Sequence, residues 1–297
     1  MRPTLKVFLA SYAVMSFFPR PAAADETPFA YLYTTETLPK ATWEYEQWQT
    51  VRTGKAAGGY TSFDIDQEIE HGFTDRFQAS FYVHSSFLHA RDTYNPDDTT
   101  ANLENQNAFD VNGISVELKY RLLSAEKDPI GLALYAEPEL GIRNKLTGED
   151  TVERSVEFKL LVEKHFLDDR LILASNIVFE PEWERKDDTR SKELKNEYLL
   201  GASYRFAPHW SGGLEFINRR KFDDQDFSKQ SASAFFLGPV LHYAAQRWWA
   251  SFTVLPQIGG NPRTLGVNAN GDAVADSFRT LGEYEKLELR LKIGVYF

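Results

Sequence analysis

From Leu287 to the carboxyl terminus every second residue is apolar: Leu287, Leu289, Leu291, Ile293, Val295 and Phe297, with Glu288, Arg290, Lys292 and Gly294 between them. A period of two belongs to a β-strand, whose side chains point alternately to its two faces. A strand over 284–297 with one apolar and one charged face must separate an apolar medium from a polar one. The same pattern recurs upstream. In 112–123, Ile114, Val116, Leu118, Tyr120 and Leu122 oppose Ser115, Glu117, Lys119 and Arg121. In 129–143, Ile130, Leu132, Leu134, Leu140 and Ile142 oppose Tyr135, Glu137, Glu139 and Arg143. In 193–206, Leu194, Tyr198, Leu200, Ala202, Tyr204 and Phe206 oppose Glu193, Lys195, Glu197, Ser203 and Arg205. A soluble sandwich would not carry this density of Leu, Ile and aromatic residues on its outward faces.

The alternation predicts strands at 41–51, 60–71, 76–87, 112–123, 129–143, 152–166, 171–184, 193–206, 209–219, 232–243, 248–258 and 284–297, twelve in all. Connections after the even-numbered strands are tight, and those after the odd-numbered ones are longer and polar. Such asymmetry marks a transmembrane β-barrel with short periplasmic turns and longer extracellular loops, and an even strand count puts both termini on one side. The fold class expected is therefore all-β, a single antiparallel transmembrane β-barrel of about 12 strands. No apolar run is long enough for a spanning helix, but a barrel escapes that criterion because only alternate residues meet lipid. Aromatic content of 14% suits the girdles of such a barrel. Two features fit less simply. Trp43 and Tyr45 fall on the opposite parity to Trp48, which predicts a bulge near Glu46. Pro138, Pro181, Pro239 and Pro256 lie inside expected strands, where proline removes a ladder hydrogen bond.

Residues 1–24 carry Arg2 and Lys6, an apolar run from Val7 to Phe18, and Ala22, Ala23 and Ala24. This is the form of a secretory signal peptide, with cleavage expected near Ala24. Its loss moves the formal net charge from −10 to −13, because Arg2, Lys6 and Arg20 leave with no acidic residue. An acidic chain argues against a nucleic-acid partner. The absence of cysteine excludes a lipoprotein anchor, a disulfide framework and a Cys-based metal site. Residues 25–40 (DETPFAYLYTTETLPK) read as a periplasmic lead-in, and 41–297 as the barrel.

The stretch ATWEYEQWQTVRTG, preceded by Leu38-Pro39, resembles the opening of a family of uncharacterised proteobacterial outer-membrane barrels, in which a Leu-Pro precedes a first strand of W-E-x-E-Q type. The closing strand, ending on Phe297, resembles that of Gram-negative outer-membrane barrels. The resemblance implies location in the outer membrane and a terminal Phe297 that serves as an insertion signal. It also implies outer-membrane lipid and the barrel-assembly machinery as partners. It carries no catalytic residue.

The inward parity is dense in charge. Asp64, Asp66, Glu68 and Glu70 form a row in the second strand; Glu117, Lys119 and Arg121 follow in the fourth. Glu137 and Glu139 occupy the fifth, Lys159 the sixth, Glu180 and Glu182 the seventh, Arg205 the eighth, and Arg290 and Lys292 the last. Carboxylates two apart on a strand share a face, roughly 7 Å from each other. They imply either a salt-bridge network that closes the lumen or a cation-favouring passage. A barrel of about twelve strands lies between side-chain-filled and water-filled sizes. The leading expectation is a passive channel or transporter for small solutes or ions with an acid-rich lumen and no cofactor. The alternative is a closed structural barrel, or an outer-membrane lipid hydrolase using a His-x-Ser pair, for which His84 and Ser86 have the spacing. Their parity points to the lumen rather than the bilayer. No pair of histidines has metal-ligand spacing on one strand, so no metal is expected; an acidic loop containing Asp92, Asp97, Asp98, Glu104 and Asp110 matches no calcium motif. Trp183, Trp210, Trp248 and Trp249 lie near strand ends, as membrane-interface anchors do.

Overall fold

The structure is a computed structural model that describes residues 27–93, 105–144, 147–261, 265–267, 273–275 and 278–297. The expected signal peptide and Asp97, Asp98 and Glu104 lie outside the described residues. The strands are β1 (Trp43–Thr53), β2 (Gly59–Thr74), β3 (Phe77–Arg91), β4 (Gln106–Leu123), β5 (Gly131–Arg143), β6 (Asp150–Phe166), β7 (Leu171–Lys186), β8 (Thr189–Ala207), β9 (Trp210–Asp223), β10 (Gln230–Ala244), β11 (Trp248–Asn261), β12 (Leu265–Val267), β13 (Ala273–Ala275) and β14 (Leu287–Tyr296). Twelve of them close a barrel in which each pairs with its neighbour and β14 returns to β1; β12 and β13 form a separate two-stranded ribbon. Closure runs antiparallel from Glu44 opposite Tyr296 to Thr53 opposite Leu287. The Phe297 amide donates to the Trp43 carbonyl, which fastens the terminal residue to the first strand.

The outward parity is largely apolar, with Ile114, Leu134, Leu200, Leu214 and Phe252 among its exposed side chains, while Gln47 and Gln67 face each other on the outer side of β1 and β2. At the short-turn end Trp210, Tyr243 and Trp248 form an aromatic cluster with centroids 4.8 and 5.0 Å apart. At the opposite end, where the longer loops lie, Trp183 is exposed. Trp249, expected at the interface, is instead fully buried inside the barrel, where its indole N–H donates to Glu44.

The four prolines coincide with interruptions in the ladders. β4 and β5 are unpaired between Ser115/Glu139 and Leu118/Ala136, beside Pro138. β6 and β7 skip between Ser155/Glu182 and Phe158/Phe179, beside Pro181. β10 and β11 skip between Phe236/Gln257 and Val240/Thr253, flanking Pro239 and Pro256. Each proline thus sits where no amide is required.

Four expectations about the strands are corrected. The first strand has no register shift against β2 or β14, so Trp48 simply points inward. β4 starts at Gln106 rather than 112, because a register shift between His84 and Ser85 of β3 leaves Asn112 unpaired and reverses the parity. Phe109 and Val111 are outward before it, Ile114 and Val116 after it, and a strict period of two cannot cross such a bulge. The seventh connection, expected as a long loop, is a two-residue turn because β7 and β8 stay paired to Lys186 and Thr189. The closing strand begins at Leu287, and residues 284–286 belong to the preceding connection.

Candidate functional site

The segment read from sequence as a periplasmic lead-in lies inside the barrel. Phe29, Ala30, Leu32, Thr35 and Leu38 are each at most 2% exposed. Residues 29–32 pack against Val178, Leu199, Ile217, Phe236 and Leu255, contributed by β7 to β11. That part of the inner wall is apolar, and the charges expected all round the lumen are concentrated elsewhere. Side chains of the wall then satisfy the segment's backbone. Glu215 Oε1 accepts from the amides of Ala30, Tyr31 and Leu32 at 3.0, 2.8 and 3.3 Å. Asn176 accepts from the Tyr33 amide at 2.8 Å and donates to the Tyr33 carbonyl at 2.9 Å. Gln78 accepts from the Leu38 amide at 2.8 Å, and Thr35 donates to Glu163 at 2.6 Å. Arg121 pairs with Glu36. Among the described residues no backbone-to-backbone hydrogen bond ties residues 27–38 to a strand.

The segment completes an aromatic layer across the lumen. The Tyr33 ring lies 5.1 Å from Tyr135 and 6.2 Å from Trp48, and Trp48 lies 5.6 Å from Tyr82. Lys159 sits 3.9 Å above Tyr33 and 4.0 Å above Tyr135; Arg290 is 3.8 Å from Tyr31. Cations held over aromatic faces in a water-poor site add attraction beyond their packing.

On the long-loop side of this layer is a cavity of about 390 Å³, floored by Tyr31 and Tyr33. Its lining includes seven glutamates against five lysines and arginines. Several cations are already matched: Lys159 with Glu157, Lys195 with Glu180 and Glu182, and Arg219 with Glu197 and Glu288. Glu283, Tyr284 and Glu285, just ahead of β14, also line it, and Lys55 holds Glu285 at 2.9 Å. On the short-turn side lies a space of about 20 Å³, lined by Glu46, Glu68, Glu70, Glu117, Lys119 and Lys292. That is about the volume one water needs.

The charged residues picked from parity have the following positions. Asp64, Glu68, Glu70, Glu117, Lys119, Glu182, Arg290 and Lys292 are buried. Asp64 pairs with Arg52, Lys292 with Glu46 at 3.1 Å, and Arg290 donates to Thr50 at 2.9 Å. Glu137, Glu139, Lys159 and Glu180 line the larger cavity. Arg205 is exposed at the short-turn end and joins none of these groups. His84 and Ser86 do face inward, both buried, but they do not form a nucleophile pair. The two ring nitrogens of His84 lie 2.8 Å from Asp66 and 2.9 Å from Ser115. Glu215, Trp48 and the whole of 27–38 are parts of the lumen that the alternation of charged rows does not reveal.

A profile of a family of unknown function, DUF6662, matches residues 21–297. The chain belongs to that family. No curated protein matches the sequence. Among solved structures, a COG4313 outer membrane channel from Pseudomonas putida F1 is similar with a TM-score of 0.55 at 13% identity, covering 89% of this chain and 98% of that one. The NanC porin gives a TM-score of 0.46 at 13% identity, covering 85% and 98%. LpxR from Salmonella typhimurium gives 0.46 at 8% identity, covering 85% and 100%. The fold is that of an outer-membrane β-barrel, as the closing strand and the Leu-Pro opening implied. The packing of residues 29–32 inside the barrel explains why the apolar residues of β7 to β11 occupy both faces in this member of the family. Ile177–Val178, Leu199–Leu200, Phe216–Ile217, Phe236–Leu237 and Val254–Leu255 each place one side chain toward lipid and its neighbour toward residues 29–32 or the wall around them.

Proposed function

We propose that the protein is a passive outer-membrane channel for small cations or cationic solutes, closed in this conformation by residues 27–38. The observation that carries the reading is the cavity of about 390 Å³ with its excess of carboxylates, which ends on a segment of the chain and not on the barrel wall. A segment held by side chains alone can leave without breaking any strand pairing, whereas displacing a strand would open the sheet. Rings of Asp and Glu favour cations, so the passage freed by its departure selects by charge. The outer-membrane channel from Pseudomonas putida named above has the same fold, which agrees with this use of the barrel.

The test is the reversal potential of the purified mature protein in planar bilayers across a potassium chloride gradient. Openings with a reversal potential toward that of potassium support the reading. Anion preference would contradict the charge assignment, and silence after removal of residues 27–38 would contradict conduction itself.

A further inference from the structure

The hydrogen-bond accounting around His84 is short of one positive centre. His84 is on β3, Ser115 on β4 and Glu137 and Glu139 on β5, with Ser115 directly opposite Glu139. Asp66 accepts from Nδ1–H of the ring at 2.8 Å, so in the neutral imidazole Nε2 carries a lone pair. That lone pair faces Ser115 Oγ at 2.9 Å. The same hydroxyl donates its single proton to Glu137 Oε1. Two acceptors therefore compete for one proton, and in either arrangement one of them looks at another lone pair in a buried site. A positive centre at Nε2 removes the conflict, either a second ring proton, which makes an imidazolium between Asp66 and Ser115, or a metal cation in its place.

The donors for such a cation are present. One ligand atom each from His84, Glu137 and Glu139 lies within 4.8 Å of the other two. Ligands about 2.0–2.2 Å from a tetrahedral ion sit about 3.3 Å apart, within reach of side-chain rotation. One imidazole nitrogen with carboxylate oxygens suits first-row divalent ions. A carboxylate on the far ring nitrogen is the usual support for a metal-bound histidine, since it fixes tautomer and orientation. Asp66 occupies that position. Glu137 and Glu139 line the larger cavity, which supplies the route of entry.

We infer that His84, Glu137 and Glu139 form a binding site for a divalent cation of the zinc class, with Asp66 orienting the imidazole. The site rests on the geometry of β3 to β5 and does not require that the barrel conduct. If the channel reading also holds, the site names a substrate class for it.

The test uses the full mature protein in detergent, stripped with a chelator and titrated calorimetrically with zinc chloride. Cobalt(II) supplies a second readout through the visible absorption of a nitrogen- and oxygen-bound ion. The expected result is one ion per chain, with affinity at least tenfold weaker in His84→Gln and in Glu139→Gln and unchanged in Ser86→Ala. Asp66→Asn should weaken binding about 10–100-fold, as loss of an orienting carboxylate does elsewhere. Equal binding by the wild type and His84→Gln, or no binding by the wild type, would overturn the inference. Either result leaves the conductance experiment to be judged separately. Retention of the heat-modifiable gel shift by each variant shows that the barrel is intact, and with two ligand variants one misfolded protein does not decide the outcome.

Discussion

Glu215 is one carboxylate serving three backbone amides, those of Ala30, Tyr31 and Leu32. Glu215→Leu leaves those donors unmatched, at about 1–3 kcal/mol for each buried group. The plug should loosen while the barrel stays folded. Because the chain has no cysteine, Thr34→Cys gives a background-free probe at a buried plug position. Its reaction with a maleimide should be at least tenfold faster in the Glu215→Leu background, and equal rates would contradict the anchoring role. Lys195 is the complementary case, since it stands between Glu180 and Glu182. Lys195→Met leaves those carboxylates without their cation, a loss of about 1 kcal/mol, because the ammonium is 37% exposed and solvent screens the pair. A lower temperature for the heat-modifiable transition checks this. The row Asp64 to Glu70 is legible in the sequence because parity is local and repeated carboxylates reveal it. Glu215 is a solitary acid between Gly213 and Ile217, and its partners lie about 185 residues away in the chain.

At the scale of elements, most strands are readable because one face meets lipid and the other does not. The departures have separate causes. A bulge at Asn112 hides the first part of β4, and extended pairing shortens the turn after β7. The prolines mark places where the ladders are already open, so they shape the wall without breaking it. Close backbone contact accompanies one of them: a Cβ on Gly238 would collide with the Val254 carbonyl oxygen. Gly238→Ala should therefore strain the β10–β11 contact, destabilising the barrel by about 1–3 kcal/mol as overpacking does. Thermal unfolding followed on a semi-native gel measures the shift, and an unchanged transition would show that the strands can separate there without cost.

At the scale of the whole molecule, the barrel is a wall with two inner surfaces, one charged and one apolar. The apolar surface is the sequence signal for the plug. Five consecutive strands, β7 to β11, carry adjacent apolar pairs where a water-lined barrel would alternate, which is how a strand buried on both faces reads. The short segment PFAYLY supplies the matching aromatics ahead of the first strand. Phe29 and Leu32, both buried, contribute about 1.5–3 kcal/mol each on going from water to that surface. What alternation alone cannot disclose is the pairing of these two features, because it joins residues from opposite ends of the chain.

The central claim, that residues 27–38 close an otherwise continuous passage, is tested most directly by paired single-channel recordings of the mature protein with and without those residues. The prediction is a closed or briefly opening wild type and a steady, several-fold larger conductance for the deletion. Equal conductance in the two proteins, or none in either, would contradict it.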